Sequence, residues 1–387
     1  MSEAALVLNV GSSSVKFALY ELPKLAPICR GNVDEIGSGR MSFNASGPRA
    51  AGLANAKPAA REHADAVEWL LGVLAKRLPD IALRAAGHRV VHGGMEFSDP
   101  VRIDERVLAA LERYVPLAPS HQPQNLAAIR AVARAAPDLP QIACFDTAFH
   151  RTQPRHAQWF ALPRSLTDEG IVRYGFHGLS YEYLAGVLPD FAGDRAYGRV
   201  ILAHLGHGAS LCALRERRSI ATTMGFTALD GLIMGRRTGT IDPGVLLYLL
   251  QEKRMAASDV SDLLYNRSGL FGVSGLSDDL RVLEADGGER AEEAMDLFAY
   301  RAAREIGSLA AALGGLDVLV FSAGIGEHSA LMRSRIVAYS SWLGCEIDAD
   351  ANAIHGPRIG KDGSAVDVYV IPTDEEIVIA RSVRMLL

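Results

Sequence analysis

Residues 6–20 read Leu-Val-Leu-Asn-Val-Gly-Ser-Ser-Ser-Val-Lys-Phe-Ala-Leu-Tyr: an apolar strand, a turn of small hydroxylated residues and a second, alternating strand. Gly11 permits a tight turn, and the serines that follow bring hydroxyls and closely spaced main-chain N–H groups together. Lys16 adds a positive charge close by. A hairpin of this kind can hold a phosphate group without a helix, although an ordinary β-hairpin with a polar turn has the same local pattern.

The pattern returns in the second half of the chain at residues 200–214, which read Val-Ile-Leu-Ala-His-Leu-Gly-His-Gly-Ala-Ser-Leu-Cys-Ala-Leu. Gly206 occupies the place of Gly11, and apolar strands flank both turns. We interpret the two segments as an internal repeat. The repeat predicts two similar lobes that face each other, each contributing a phosphate-binding turn to one cleft.

Composition is that of an ordinary globular protein. The 387 residues are enough for two domains, and the chain is 49% hydrophobic and 22% charged with a formal net charge of −5. These values argue against disorder and against a nucleic-acid partner, so an anionic substrate needs local positive charge. No stretch reaches the roughly 20 apolar residues of a membrane span. The four cysteines lack Cys-x-x-Cys spacing, which favours reduced thiols; we expect a cytoplasmic protein without a membrane partner.

Helical and strand patterns alternate along the chain, which predicts α/β lobes, each with a mixed sheet flanked by helices. Periodicity and capping signals predict helices at residues 63–77, 105–114, 123–136, 245–253 and 289–313, and a final helix opening at residues 373–376. Strands are predicted at residues 87–91, 141–146, 318–321 and 366–371. Residues 37–57, rich in Gly, Ser, Ala and Asn, are expected to form a loop.

Two common nucleotide signatures are missing: there is no Gly-x-x-x-x-Gly-Lys-Ser/Thr, and no Gly-x-Gly-x-x-Gly follows a strand. The informative stretch is residues 222–244, which is dense in glycine, apolar, and contains Arg236 and Arg237 side by side. Such a segment packs closely while it presents arginine to an anion. A structural crossover with surface arginines has the same composition.

An ordered series of motifs then resembles the acetokinase family, whose fold is actin-like and sugar-kinase-like. The matching segments run from Asn9 to Glu376 and are residues 9–16, 87–94, 121–123, 145–150, 173–178, 204–208, 224–243, 324–329 and 373–376. The resemblance implies two similar actin-like (ribonuclease H-like) lobes around a central cleft. It assigns residues 1–147 and the C-terminal helix 377–387 to the N-terminal lobe and residues 148–376 to a nucleotide-binding lobe, and it implies a homodimer.

The resemblance implies reversible transfer of the ATP γ-phosphoryl group to acetate, giving acetyl phosphate and ADP, with Mg²⁺ or alternatively Mn²⁺. Because the loose transition state spreads charge over the phosphoryl oxygens, positioning and electrostatics carry most of the catalysis. Arg89 and Arg237 would hold the carboxylate and the migrating phosphoryl group. The full set matched as catalytic is Arg89, His121, Asp146, His177 and Arg237, and the set matched as metal-binding is Asn9, Asp146 and Glu375.

Each of these assignments has a structural alternative. The alternative for His177 is a core histidine with its hydrogen bonds satisfied. The alternative for Asp146 is the cap of a turn, and that for Glu375 is an acid that stabilises a helix N-terminus.

The same residue-by-residue match assigns the remaining contacts. Those to the acid are Arg89, Val91, Ser120, Phe176 and Ala228. Those to the nucleotide are Asn9, Ser12, Ser14, Lys16, His204, Leu205, Gly206, His207, Gly208, Asp279, Leu280, Arg281, Gly324, Ile325, Gly326, Glu327 and His328. Asp279 is equally suited to capping the helix that follows it.

The chain departs from the family pattern at several positions. His207, His328 and Gln122 stand where the family usually has Asn, Thr240 where it has Asp, and Arg236 where the residue is usually uncharged. Ser120 and Ala228 replace a usual Leu and Pro, and both changes remove apolar volume. Since a methylene group is worth only about 1–3 kcal/mol of discrimination, a larger acid such as propionate would be accepted, with acetate as the first expectation.

Three alternatives remain: a propionate or butyrate kinase, a pyrophosphate-dependent kinase, and a nucleotide-binding regulatory protein with a decayed site. Retention of Arg89, Asp146, His177, Arg237 and Glu375 argues against decay.

Overall fold

The computed structural model describes residues 2–11, 13–38, 40–58, 60–119 and 121–387. The chain divides into two compact units: unit 1 is Met1–Ala148 with Asp374–Leu387, and unit 2 is Phe149–Thr373. Two of the predicted site residues, Ser12 and Ser120, lie outside the described residues.

Strands and helices alternate along both units. The strands are β1 Ser2–Val10, β2 Val15–Glu21, β3 Ala26–Asp34, β4 Ser42–Ser46, β5 Ile81–Val90, β6 Val101–Arg102, β7 Gln141–Phe145, β8 Val200–Leu205, β9 Ala209–Arg215, β10 Arg218–Thr222, β11 Val318–Ser322 and β12 Asp367–Val370. The α-helices are α1 His63–Arg77, α2 Glu105–Glu112, α3 Gln122–Ala135, α4 Arg155–Gln158, α5 Arg164–Asp168, α6 Gly178–Ala192, α7 Pro243–Gln251, α8 Ala257–Asn266, α9 Gly269–Ser274, α10 Leu280–Asp286, α11 Glu289–Leu313, α12 Ala323–His328, α13 Ala330–Tyr339, α14 Ala349–Ala353 and α15 Glu375–Leu386. Short 3₁₀ helices occur at Ala50–Leu53, Val115–Leu117, Ala148–Thr152, Gly193–Tyr197 and Ser341–Leu343.

The sheet of unit 1 has the order β4-β3-β2-β1-β5-β7-β6. Strand β1 forms the predicted hairpin with β2 and pairs in parallel with β5, which in turn pairs in parallel with β7. The carboxyl ends of these three parallel strands therefore meet at one edge of the sheet, the position where open α/β sheets usually bind ligands.

Helices cover this sheet with apolar side chains. Leu70 and Leu74 of α1 join Val132 of α3 and Leu6 and Leu8 of β1 in one core cluster. The C-terminal helix α15 packs on β5, where a Cβ added to Gly87 would lie 2.5 Å from Cγ2 of Ile379. Glycine is required there because the helix and the strand approach too closely for any side chain.

The expectation of a loop at residues 37–57 is wrong. The segment contains strand β4, which pairs antiparallel with β3, and a 3₁₀ helix at Ala50–Leu53. Phe43 explains the strand, because its ring stacks on Phe17 and meets the edge of Trp69 at centroid distances of 6.0 and 5.1 Å. One aromatic anchor outweighs a local composition that is typical of loops.

The sheet of unit 2 has the order β10-β9-β8-β11-β12. Strands β8 and β9 form the second predicted hairpin, and β8 pairs in parallel with β11, as β1 does with β5. Both hairpin turns close through main-chain hydrogen bonds: Gly11 N–H donates to Ser14 O at 2.9 Å, and Gly206 N–H donates to Gly208 O at 3.0 Å. The repeated arrangement of a hairpin beside a parallel strand is thus present in each unit.

Helix bounds follow the predicted patterns closely. Helices α1 and α11 begin and end at the predicted residues, and α2 ends at Glu112, two residues early. Asp242 caps α7 by accepting from Gly244 N–H at 2.7 Å, as its place before Pro243 predicts. Among the described residues, none of the helices combines the length and apolarity that a membrane crossing requires.

Candidate active site

At the strand-end edge of unit 1, a guanidinium group is held by a buried carboxylate. Arg89, on β5, donates from Nε to both oxygens of Asp146 at 3.1 Å and from Nη2 to Oδ2 at 2.5 Å. Asp146 follows β7 directly, and its side chain is 1% exposed against 16% for Arg89. Charge-assisted, multiply bonded contacts of this kind fix the plane of the arginine.

Two further side chains complete what we call the Arg89 cluster: Asn9, Arg89, Asp146 and Glu375. Arg89 Nη1 donates to Asn9 Oδ1 at 3.1 Å, and Asn9 Nδ2 donates to Glu375 Oε2 at 3.3 Å. Glu375 Oε2 also lies 3.9 Å from Arg89 Nε. The cluster joins the ends of three parallel strands to the first turn of α15, residues that lie far apart in the sequence.

Electrostatics in the Arg89 cluster are dominated by two carboxylates around one cation. Burial raises the pKa of Glu375 to about 7, the charge of Arg89 opposes this, and the nearby Asp146 adds to it. Burial alone would lower the pKa of Arg89, but the charges of Asp146 and Glu375 outweigh it and raise that pKa above its ordinary value. The crowding of negative charge favours a further cation at this place.

The oxygen donors of this cluster fit a magnesium ion. Mg²⁺ prefers oxygen ligands, and it usually takes one or two carboxylates from the protein and the rest from water and substrate phosphates. Asp146 and Glu375 supply two such carboxylates. Across the described parts of the chain, no group of three or more His, Cys, Asp or Glu side chains is placed to hold a metal ion.

The first turn of α3 ties together the chain segments beside this cluster. Asn125 accepts from Val91 N–H at 3.1 Å and donates to Val10 O at 3.0 Å, which joins the ends of β5 and β1. Gln122 is fully buried and exchanges two hydrogen bonds with the backbone of His92, at 3.1 and 3.2 Å. Sequence reasoning assigned His121, the half-buried N-cap of α3, but missed Asn125, whose only signal is its place one helical turn after Gln122.

In unit 2, His177 lies against the turn of the β8–β9 hairpin. It has left-handed backbone geometry, with φ of 60°, at the N-cap of α6. Its Nδ1 is 2.8 Å from Ser210 Oγ, and its ring stacks on that of His204 with centroids 4.2 Å apart. A Cβ added to Gly208 would meet His177 Nε2 at 3.3 Å, so this nitrogen faces the turn. His177 is thus held by a hydroxyl and a stacked ring in a backbone conformation that costs about 1–3 kcal/mol.

A cavity of about 590 Å³ opens beside the same turn. This volume lies within the usual range for small-molecule sites. The cavity brings together three of the predicted nucleotide segments, and its lining is Gly206, His207, Asp278, Asp279, Leu280, Arg281, Glu284, Gly324, Ile325, His328 and Ser329. The other predicted residues of these segments, His204, Leu205, Gly208, Gly326 and Glu327, are not part of the lining.

Two acids predicted to contact nucleotide have structural partners. Glu327 Oε1 accepts from Ala323 N–H at 2.8 Å and from Thr373 N–H at 3.2 Å, which holds the end of β11 to the segment after β12. Asp279 caps α10 by accepting from Arg281 N–H at 3.0 Å, and it pairs with the Arg281 guanidinium at 2.6 Å. The capping alternative for Asp279 is therefore the geometry observed.

Asp278, which sequence reasoning did not assign, binds two of the residues that depart from the family pattern. His207 Nε2 lies 3.1 Å and Arg236 Nε 2.6 Å from the same oxygen, Asp278 Oδ2. Burial alone would raise the pKa of Asp278, but the hydrogen bonds from Arg236 and His207 lower it. We call these three residues the Asp278 clasp.

Arg237 points back onto its own loop. Its Nη1 donates to Ala228 O at 3.0 Å and lies 3.7 Å from Met234 Sδ. Of the residues predicted to contact the acid or the migrating phosphoryl group, Arg237 and Ala228 are in contact within unit 2. Arg89 and Val91 belong to unit 1. Phe176, also in unit 2, is buried, and its carbonyl accepts from His150 Nε2 at 2.9 Å.

Glycine turns, an arginine–carboxylate cluster and a cavity beside the β8–β9 turn are features expected of a protein that acts on a phosphorylated ligand. The family model described as the acetokinase family matches residues 4–381, and the chain belongs to this family. The chain is 54% identical over 390 residues to the acetate kinase of Rhodopseudomonas palustris (strain ATCC BAA-98 / CGA009). The alignment covers 99% of this chain and 98% of that protein.

Two solved structures match the fold of this chain over 99–100% of its length. The crystal structure of Porphyromonas gingivalis acetate kinase superposes with a TM-score of 0.86 at 38% identity, covering 100% of this chain and 99% of that one. A propionate kinase from Francisella tularensis subsp. tularensis SCHU S4 gives a TM-score of 0.89 at 35% identity, with 99% of each chain covered. The chain is thus similar both to acetate kinases and to a propionate kinase.

Proposed function

We propose that this chain catalyses reversible transfer of the γ-phosphoryl group of ATP to acetate, giving acetyl phosphate and ADP. The observation that supports this most directly is the Arg89 cluster, in a chain similar to acetate kinases along its whole length. The cluster presents a guanidinium whose plane is set by Asp146. A planar fork of N–H donors binds carboxylates and phosphates equally well.

Arg89 and Val91 are the proposed acetate contacts in unit 1. The guanidinium binds the carboxylate, and the buried Val91 provides an apolar contact for the methyl group. Acetate is already deprotonated at pH 7, so the reaction needs no strong general base. The role of Asp146 toward the substrate is then to hold Arg89 in one orientation.

Asn9, Asp146 and Glu375 would hold the magnesium ion, with Mn²⁺ as an alternative. Bound there with ATP, the ion supplies charge neutralisation on the phosphate oxygens. Lys16, the exposed second residue of β2, adds positive charge that acts on Glu375. Ser14, which lies in the same turn, and Ser12, which lies outside the described residues, are proposed as further phosphate contacts.

In unit 2, the β8–β9 turn and His177 are the proposed phosphate contacts. Tyr181 OH bonds to Ser210 Oγ, and Ser210 Oγ bonds to His177 Nδ1. With Tyr181 donating to Ser210 and Ser210 donating to His177, the histidine proton resides on Nε2, the nitrogen that faces the turn. His177 then donates a hydrogen bond to a phosphoryl oxygen, a role also proposed for His121.

The cavity lined by Asp279, Leu280, Arg281, Gly324, Ile325 and His328 would take the adenosine. A Cβ added to Gly324 meets no atom within 4 Å, so the wall is open at this point. Arg237 is proposed to hold the migrating phosphoryl group, and Phe176 and Ala228 are proposed as contacts to the acid.

We propose a homodimer that acts in the cytoplasm. Helix α7, described over its whole length, has no buried residue, and it exposes Val245, Leu247, Tyr248 and Leu250 by 39–54%. An exposed apolar helix of this kind is typical of subunit contacts. All four cysteines are buried free thiols, as expected in a reducing compartment. Light scattering of the wild type and of Leu247→Glu tests the dimer: the variant should be monomeric, and a monomeric wild type would contradict the proposal.

The function is tested by trapping acyl phosphate with hydroxylamine. Acetate, propionate and butyrate are each supplied with ATP or with pyrophosphate, in the presence of Mg²⁺. Acetate with ATP should give the highest kcat/KM, and Arg89→Ala serves as the inactive control. A higher kcat/KM for propionate would assign the chain to the alternative acid, and no hydroxamate from any combination would contradict the kinase proposal.

A further inference from the structure

The Asp278 clasp joins three segments that surround one cavity. His207 lies in the turn between β8 and β9, Asp278 precedes the N-cap of α10, and Arg236 lies in the loop before Arg237. One carboxylate oxygen, Asp278 Oδ2, receives both the imidazole and the guanidinium. A single acidic side chain is therefore shared by the turn and by the arginine loop.

Arg236 is held from a second side as well. Its guanidinium stacks over the ring of Phe271 at 4.8 Å, and Phe271 N–H donates to Gly235 O at 2.9 Å. Gly235 N–H in turn donates to His207 O at 3.0 Å. These contacts keep the positive charge beside Asp278 rather than leaving it on a freely rotating surface side chain.

The position of Asp278 is unfavourable for a polyphosphate at the turn. Two other acids line the cavity, but Asp279 is paired with Arg281 and Glu284 accepts from Ser329 Oγ. Asp278 is the acid that contacts the turn, through His207. Its negative charge would repel phosphate groups bound at residues 206–208, unless a cation next to it cancels the field.

We propose that Arg236 is a positioning residue for the phosphoryl donor: it neutralises Asp278, so that the β8–β9 turn binds the phosphates of a nucleoside di- or triphosphate. Arg236 acts through Asp278 and does not touch the transferred group. This inference rests on the proposed function, because it assumes that the turn receives the nucleotide phosphates. The affinity for the nucleotide depends on Arg236, and the affinity for the carboxylate substrate does not.

The test compares Arg236→Gln, Asp278→Asn and the double variant by calorimetric titration with ADP and by steady-state kinetics. Arg236→Gln should weaken ADP binding and raise KM for ATP by about threefold to tenfold, a range set by the partial exposure of the pair. The values of kcat and of KM for acetate should stay within about twofold of wild type. Asp278→Asn should bind ADP as tightly as wild type or more tightly.

The double variant gives the decisive measurement. Removing the carboxylate together with the guanidinium should restore wild-type affinity, and Arg236→Lys, which keeps the charge, should restore it in part. Arg335→Gln is the matched control: it breaks a 2.6 Å pair with Glu292 in the same unit, away from the cavity, and should leave ADP binding unchanged.

Three results would overturn the inference: wild-type affinity in Arg236→Gln, a double variant as weak as Arg236→Gln, or weaker ADP binding by Asp278→Asn than by wild type. The titration of Asp278→Asn tests the proposal independently of the Arg236 variants. Failure of the proposed function looks different, because the wild type itself would then neither bind ADP nor form acyl phosphate.

Discussion

Nε of Arg89 lies 3.1 Å from each carboxylate oxygen of Asp146, at the ends of two adjacent parallel strands. The acid is almost completely buried, so it cannot exchange its partner for water. The direction in which Arg89 points is therefore set by the sheet and not by the substrate. Preorganisation of this kind lets an active-site charge bind its ligand without first reorganising.

Asp146→Asn should lower kcat/KM for acetate about 100-fold, because truncating one partner of a buried ion pair typically costs about 2–5 kcal/mol. Steady-state kinetics with acetate as the varied substrate measure this. Asp80→Asn is the matched control, since it breaks the exposed Arg49–Asp80 pair in the same unit and should leave kinetics unchanged. An Asp146→Asn enzyme with wild-type kinetics would remove the proposed role of this pair.

Arg237→Ala should lower kcat about 100- to 1,000-fold while ADP still binds, because the side chain is proposed to stabilise charge that develops on the migrating phosphoryl group. Turnover by hydroxamate formation and ADP affinity by calorimetry are measured on the same preparation. Arg335→Gln again serves as a control for the loss of one positive charge in unit 2. Near-normal turnover would reject the role assigned to Arg237.

Glu375→Gln should raise the Mg²⁺ concentration for half-maximal activity about tenfold or more, because it replaces a metal-binding carboxylate with an uncharged amide. The measurement is a Mg²⁺ titration at saturating ATP and acetate. Glu376→Gln, the next residue of the same helix turn, should change the metal requirement much less. Identical Mg²⁺ curves for wild type and Glu375→Gln would argue against metal binding at this position.

His150 should make folding stability fall as the medium is acidified. Burial lowers the pKa of His150 to about 4, although its hydrogen bond to the Phe176 carbonyl acts in the opposite direction. The unfolded chain, with a pKa near 6.5, therefore takes up the proton first, and stability is lost as the pH falls from about 6.5 toward 4. For this one residue the loss at pH 5 is about 2 kcal/mol.

Chemical denaturation at pH 7 and pH 5 measures the effect. His150→Gln should reduce the pH dependence without abolishing it, because burial lowers the pKa values of His88 and His92 to about 4 in the same way. His156→Gln, at an exposed position, is the control and should keep the wild-type dependence. An unchanged slope in His150→Gln would contradict the assignment.

Local patterns predicted much of the fold. Helices α1 and α11 follow from apolar stripes at helical spacing, and both hairpins follow from an apolar strand on either side of a glycine turn. These features depend on residues close together in the chain, whose conformational preferences do not need distant partners. Strand β4 was missed because its support is the distant ring of Trp69.

In the candidate site, too, short motifs are informative and distant partners are not predictable. The assignments of Arg89, Asp146 and His177 came from motifs that resemble one family, and their residue types suit phosphoryl transfer. The partners of these residues do not follow from the motifs. Asp278 has no local signal, and Asn125 has none beyond its place one helical turn after Gln122. Each matters only for the backbone or charged group that the fold brings to it.

Periodicity and short spacing were enough to predict the α/β class and the repeated hairpin, whereas the residues proposed for the chemistry came from motifs that resemble one family. Tertiary structure alone decided that Glu375 meets Asn9 and that Arg236 and His207 share Asp278. Strand pairing and the packing of α15 on the sheet join Asn9 to Glu375 across 366 positions, and the fold of unit 2 joins Arg236 to Asp278 across 42 positions. Which of them face one another is settled by packing of the whole unit, and no local preference encodes it.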